Sequence, residues 1–294
     1  MRVHLVDGTF ELYRAHYSPR PGRLAPDGRD VKATLGLVGQ MLTLLADAKE
    51  APTHVAVVFD NPIRSFRNDL FDGYKGDEGV PPALRAQFDL VEEAVRALGL
   101  AVWSMKDHEA DDGIATGAVT LAPVADQIRI LSPDKDLMQC VEDARIVTVD
   151  RIRNREFDEA GVRETWGVAP KQIPDLLALT GDDADGIPGV PGLGKKTAAA
   201  LVSAFGSVEA IPADPAKWPK SVRGAERLAA SLAEARDVVP LYKRLATLVT
   251  DAPVDARLEA IAVGAVGGGA FTAFCERLGA PRLAALATRG GAGA

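Results

Sequence analysis

At 294 residues, 47% hydrophobic and 26% charged, the chain is long enough to bury the core of one large or two ordinary domains. No apolar run approaches the roughly 18–20 residues that span a bilayer, and the opening MRVHLVDGTFELYR carries an acidic residue where a signal peptide would be apolar, so a cytoplasmic enzyme with no membrane partner is expected. Two cysteines, Cys140 and Cys275, exclude a disulfide framework or a thiolate metal cluster, and a net charge of −7 argues at face value against a polyanionic partner.

VHLV at 3–6 and VAVVF at 55–59 read as short strands, each ending on an aspartate, Asp7 and Asp60. Between them Val31, Leu35, Val38, Leu42 and Leu45 recur at helical spacing. Leu84, Phe88, Val91, Val95 and Leu98 repeat that pattern, and Gly99 reads as the C-cap. LAVWS, a helix from about 110, the strand IRIL at 128–131 and RIVTV at 145–149 continue the alternation. Strands separated by helices predict an α/β fold, a mainly parallel central sheet flanked by helices. Ligands of such sheets bind outside the carboxyl ends of the strands, and Asp7, Asp60 and Asp134 stand at that edge. From about 160 the β-runs stop and a proline-punctuated helical region follows. After about 265 the sequence turns to glycine and alanine, and its last few residues are expected to be disordered. No apolar heptad seam is present, so a monomer is the default.

GVPGLGKKT at 189–197 has the outline of a phosphate-binding P-loop, but Lys196 occupies the hydroxyl position and Thr197 comes one residue late. The preceding KQIPDLLALTGDDADGIP lacks a strand and carries Ile173, Leu176, Leu177 and Thr180 at helical spacing, so the loop lies between two helices. Two acidic alternatives also fail. An EF-hand aligned on Gly186 needs an acidic or amide residue at 181 and glutamate at 192, where glycine stands at both; the LVDGT of residues 5–9 lacks the nucleophilic aspartate of a dehalogenase-type phosphatase, having Leu5 there.

Nine carboxylates remain in five places: Asp7, Asp60, Glu109 with Asp111 and Asp112, Asp134 with Asp136, and Asp182 with Asp185. Taken singly each has an ordinary explanation, as a turn residue or a favourable charge at a helix N-terminus. Together, several at sheet ends would repel one another unless cations intervene. All-oxygen ligands imply Mg²⁺ or Mn²⁺, and two such ions about 4 Å apart activate water and stabilise the leaving oxygen of a phosphodiester. With the nine set aside the chain is mildly basic, which readmits a nucleic-acid partner.

LVDG with LYRA, VVFD, FR followed by LF and YK, EADD, DKD and GD-x-x-D-x-IPGVPG-x-G-x-KTA occur in this order. Over about residues 1–255 the chain resembles the 5′ nuclease family, which includes the 5′ nuclease domain of bacterial DNA polymerase I, phage 5′ exonucleases and flap endonucleases. It looks most like the bacterial branch, as a free-standing nuclease. The resemblance implies a first metal site at Asp7, Asp60, Glu109 and Asp111, a second at Asp134, Asp136 and Asp182, and supporting carboxylates at Asp112 and Asp185. It also implies a helix-hairpin-helix turn that grips duplex backbone through Gly189, Gly192, Gly194, Lys195, Lys196 and Thr197 and binds K⁺ through carbonyl oxygens. A helical arch over about 62–82 follows from it too, with Arg67, Tyr74 and Lys75 in catalytic roles.

On that reading residues 1–160 form a nuclease core carrying the arch, 161–265 a helical region with the hairpin at about 171–205, and 266–294 a Gly/Ala-rich end. Two departures stand out: Glu78 where bacterial members have arginine, and Gly186 where asparagine is common. The activity implied is structure-dependent 5′-3′ exonuclease and flap endonuclease cleavage of DNA bearing 5′ flaps, nicks or 5′ ends. The acidic arch keeps a non-catalytic DNA-junction binder as the alternative, and an RNA-cleaving relative is weakened by the helix-hairpin-helix.

Overall fold

The computed structural model describes residues 1–290, with side chains to residue 288. The expected disordered end falls on residues 291–294, outside the described residues. In chain order, β1 (Arg2–Asp7) runs straight into α1 (Gly8–His16), followed by α2 (Lys32–Leu45) and β2 (His54–Asp60). Two single turns, α3 (Arg67–Leu70) and α4 (Pro82–Arg85), precede α5 (Phe88–Leu98), β3 (Ala101–Met105), α6 (Ala110–Leu121) and β4 (Gln127–Leu131). The strands β5 (Ile146–Asp150) and β6 (Arg155–Phe157) come next. They are followed by α7 (Glu159–Trp166), α8 (Ile173–Thr180), α9 (Lys195–Phe205), α10 (Ala225–Glu234) and α11 (Val239–Ala246). The chain closes with α12 (Leu258–Ile261), α13 (Gly269–Arg277) and α14 (Pro281–Gly290), so the Gly/Ala-rich end is helical over much of its described length.

Two compact units result. The first comprises Met1–Ser65, Asp77–Ser132 and Thr250–Ala294; the second comprises Phe66–Gly76 and Pro133–Val249. In the first, four parallel strands lie in the order β3-β2-β1-β4, with Val6 opposite both Val57 and Leu131. Val3, Leu5 and Val6 of β1 and Val55 to Phe59 of β2 are wholly buried, the near-continuous apolar run of a parallel sheet covered on both faces. The register sets the ends level: Asp7 lies opposite Val58, and Asp60 opposite Met105. α5 stops where expected, at Gly99 in the left-handed conformation with φ +98°.

In the second unit β5 and β6 pair antiparallel, Thr148 opposite Phe157. β6 has three residues, too few to show a period. Helices dominate the rest, around a core that includes Ile173, Leu177, Leu201, Val202 and Leu245. α8 and α9 are joined by the 181–194 loop, so the glycine-rich stretch does lie between two helices. Over residues 62–82 the helical content is the one turn of α3 and the first residue of α4.

Candidate metal centre and nucleic-acid interface

In the first unit, strand ends and one helix start bring carboxylates to the same edge of the sheet. Asp7 ends β1 and caps α1: its Oδ1 accepts from the Phe10 amide at 2.8 Å, and its Oδ2 accepts from Ser132 Oγ at 2.8 Å. Asp60 ends β2; its amide donates to Thr9 Oγ1 at 2.8 Å and its Oδ1 accepts from the Ala110 amide at 2.7 Å. Those bonds tie the turn after Asp7 to Asp60, and Asp60 to the start of α6. There Glu109 and Asp112 form a capping box, the Glu109 amide donating to Asp112 Oδ2 at 3.0 Å, while Ser65 Oγ donates to Glu109 Oε1 at 2.9 Å. Asp111 sits half-buried in the same first turn, where the helix dipole favours negative charge. Burial and the adjacent Asp60 carboxylate raise the Tyr13 hydroxyl above its usual range.

In the second unit the carboxylates converge more tightly. Asp136, Asp182 and Asp185 are all buried, and each offers an oxygen within 4.8 Å of the others. Asp134 shapes the turn, its Oδ1 accepting from the Asp136 amide at 2.9 Å. Burial, then the charge of Asp134, pushes the Asp136 carboxyl well above the usual carboxylate range. No hydrogen bond reaches Asp136 Oδ1, although it is buried. A buried oxygen without a donor, among other carboxylates and with no nitrogen or sulfur ligand nearby, fits a hard divalent cation. Among the described residues this is the one acidic group of three so closely drawn together; the carboxylates of the first unit share an edge without meeting that spacing.

One cation beside this group was not singled out from the sequence. The Lys135 ammonium pairs with Asp182 Oδ2 and lies 3.7 Å from Asp136 Oδ1. Burial disfavours its charge, but Asp136, Asp182 and Asp134 outweigh that and hold it above the usual lysine range. The signal was present in DKD, where a basic residue stands between two carboxylates. Ser132, Ser65 and Thr9, which orient Asp7, Glu109 and Asp60, were missed for want of any pattern.

The three residues expected to act at the substrate divide. Lys75 is partly exposed, its Nζ 3.0 Å from Asp185 Oδ1 and 5.6 Å from the Tyr74 ring centroid. Arg67 and Tyr74 are placed differently. Arg67 is wholly buried, its guanidinium donating to the carbonyl oxygens of Leu245 at 2.8 Å and Thr247 at 2.9 Å. Tyr74 lies in the core of the second unit, 6% exposed. Both side chains are engaged in packing, and that of Arg67 also in hydrogen bonds to main-chain carbonyls. Glu78 is exposed, and its neighbour Asp77 is paired with Arg85 at 2.5 Å.

The hairpin turn is compact. Gly189 and Gly192 have φ of +68° and +84°, the Val190 amide donates to Leu179 O at 2.8 Å, and Gly194 opens α9 with no side chain capping it. Lys195 and Lys196 occupy the first turn and Thr197 follows, its amide donating to Gly194 O at 2.9 Å. Lys195 Nζ lies 3.6 Å from the centroid of Trp166, and burial lowers that ammonium's affinity for its proton. A cluster of positive charge at an uncapped helix start suits a phosphate backbone.

The chain thus combines carboxylates at the edge of a parallel sheet, a tight buried acidic group and a glycine-rich turn between two helices. A family model described as the 5′-3′ exonuclease N-terminal resolvase-like domain matches residues 2–167, and one described as the 5′-3′ exonuclease C-terminal SAM fold matches residues 168–267. The chain is 36% identical over 255 residues to a 5′-3′ exonuclease of Buchnera aphidicola, covering 85% of this chain and 82% of that protein. It is also 36% identical over 282 residues to DNA polymerase I of Rhizobium leguminosarum, covering 94% of this chain but 27% of the polymerase. It therefore spans about a quarter of the length of such polymerases. Among solved structures, T5 5′-exonuclease with divalent zinc ions bound superposes with a TM-score of 0.67 at 20% identity, covering 98% of this chain and all of that one. The catalytic core of Rad2 with DNA substrate superposes at 0.63 and 15% identity, covering 98% and 92%. The chain belongs to the 5′-3′ exonuclease family.

Proposed function

We propose that the protein is a divalent-metal-dependent 5′-3′ exonuclease and flap endonuclease that hydrolyses DNA phosphodiesters near 5′ ends, nicks or flap junctions. The observation that carries this reading is the convergence of Asp136, Asp182 and Asp185, with a buried oxygen that no donor reaches, in a chain that also presents Asp7, Asp60, Glu109 and Asp111 at a sheet edge. Asp7, Asp60, Glu109 and Asp111 would hold one Mg²⁺ or Mn²⁺ ion, supported by Asp112, and Asp134, Asp136 and Asp182 a second, supported by Asp185. When bound, such ions supply an activated water and charge stabilisation for the leaving oxygen.

The chain's own residues do the rest. Asp60 and Glu109 are fixed by the amide of Ala110 and the hydroxyl of Ser65, so their remaining oxygens are held in place before substrate arrives. Lys75 brings a mobile positive charge beside Asp185, suited to a phosphate oxygen. Gly189, Gly192, Gly194, Lys195, Lys196 and Thr197 would grip duplex backbone without reading bases, and the carbonyls of that turn are the place for a K⁺ ion. Trp166 and Tyr74 steady the two lysines by lying against them. We place the enzyme in the cytoplasm as a monomer; among the described residues no helix is long and apolar enough to cross a membrane.

Cleavage of a 5′-end-labelled flap duplex tests the reading, with Mg²⁺, with Mn²⁺ and with EDTA, for the wild type and Asp182→Asn. Metal-dependent cutting near the junction, lost in the variant, is the expected result. Binding of the flap without cutting in either metal would transfer the protein to the class of DNA-junction binders.

A further inference from the structure

Lys135 stands against two of the carboxylates that the metal reading assigns to a cation. Its ammonium pairs with Asp182 Oδ2, one of the oxygens of the acidic group, and lies 3.7 Å from the donor-less Asp136 Oδ1. Three buried carboxylates with oxygens within 4.8 Å of one another repel strongly at low local dielectric, and their repulsion needs a compensating positive charge. Lys75 meets Asp185 at 3.0 Å, but Asp136 and Asp182 have Lys135 as their neighbouring ammonium. The lysine reaches them because Asp134 holds the turn before Asp136, and its own side chain remains 28% exposed. A flexible four-carbon stem with an exposed flank can leave for solvent without moving the backbone.

We propose that Lys135 is a tethered counter-ion of this acidic group: it neutralises Asp136 and Asp182 until a divalent ion displaces it, and so sets how much metal is needed to load the second site. The proposal rests on the reading that this group binds a divalent cation. Ammonium and metal compete there, since both draw on the carboxylates of Asp136 and Asp182. Lys135 is thus a positioning and affinity-setting residue, acting on the ligands and not on the DNA.

The test is Mn²⁺ binding to the full chain, followed by the electron paramagnetic resonance signal of free Mn²⁺, for wild type, K135M, K135R and D182N. Melting temperatures are read in parallel in EDTA and in saturating Mn²⁺. K135M is expected to bind Mn²⁺ about tenfold or more tightly at one site. It should melt below wild type in EDTA, with a larger rise on adding Mn²⁺, and K135R should stay close to wild type in both. Unchanged or weaker Mn²⁺ binding by K135M overturns the proposal. Should K135M fail to fold in EDTA, K135Q keeps the length and polarity without the charge and must show the same tightening. A wild type that binds Mn²⁺ no better than D182N would sink the metal reading itself, an outcome that the D182N comparison separates from failure of the lysine's role.

Discussion

Gly186 lies against Gly73 so closely that a Cβ on residue 186 would come 2.0 Å from the Gly73 carbonyl oxygen. The backbone of Gly186 is also left-handed, φ +74°, and the neighbouring Lys75 amide donates to Asp185 O at 3.0 Å. A side chain at 186 would therefore push apart the two strips of chain that carry Lys75 and Asp185. The glycine that departs from the family habit is the residue this packing requires.

Gly186→Asn should destabilise the protein by about 2 kcal/mol or more, combining a steric clash with backbone strain. Urea unfolding would show it as a lower midpoint with little change in slope. A variant as stable as the wild type would mean that the 73–75 strip moves aside without penalty.

Asp136→Asn should separate stability from activity. The carboxyl is raised by burial and by Asp134, so its ionised form penalises the folded state once the pH exceeds the unfolded value near 3.8. At pH 7 in EDTA the variant should melt at or above the wild type, while metal-dependent cleavage falls about 100-fold or more. Retained cleavage would remove Asp136 from the ligand set.

Arg67→Ala should act on the fold. It deletes two charge-assisted hydrogen bonds and strands the buried Leu245 carbonyl and the partly buried Thr247 carbonyl, with an expected loss of about 3 kcal/mol or more. Arg67→Lys should rescue little, because one ammonium cannot reproduce the guanidinium's spread of donors. Single-turnover cleavage per folded molecule should change far less than the melting temperature. A collapse in that rate at full stability would assign Arg67 to the chemistry.

His4 gives the protein an acid limit. It is wholly buried in β1, its Nε2 2.8 Å from Glu50 Oε2, and burial lowers its pKa despite that partner. A base whose folded pKa is depressed contributes stability that is present above the unfolded value near 6.5 and is lost as the pH falls toward the folded value. His54, lowered for the same reason, adds in the same sense. Urea midpoints should drop between pH 7.5 and 5.5, and His4→Gln should flatten that drop even if its midpoint at pH 7.5 is lower.

Several of these relationships were within reach of the sequence and others were not. The strands of the first unit announced themselves because β-branched runs such as VAVVF are buried on both faces, and Asp7 and Asp60 were visible as the residues that end them. DKD and GDDAD pointed to the tighter acidic group because the residues that build it lie within two short segments. The surroundings of Arg67 were not legible, since its partners are 178 and 180 residues away and nothing local distinguishes a guanidinium bound to carbonyls from one facing substrate. Gly186 stood out only as a departure from the family pattern because its reason, Gly73, lies more than a hundred positions earlier in the chain.

Arg67 also limits how the protein can be divided. The second unit is encoded in two instalments, with Phe66–Gly76 written inside the sequence of the first. A fragment cut from Pro133 to Val249 would thus leave its own plug behind, exposing the Leu245 and Thr247 carbonyls that the guanidinium closes and losing Tyr74 from its core. The helical half is for that reason no portable cassette: grafted onto another protein as one contiguous stretch, it would arrive with a hole where Arg67 belongs.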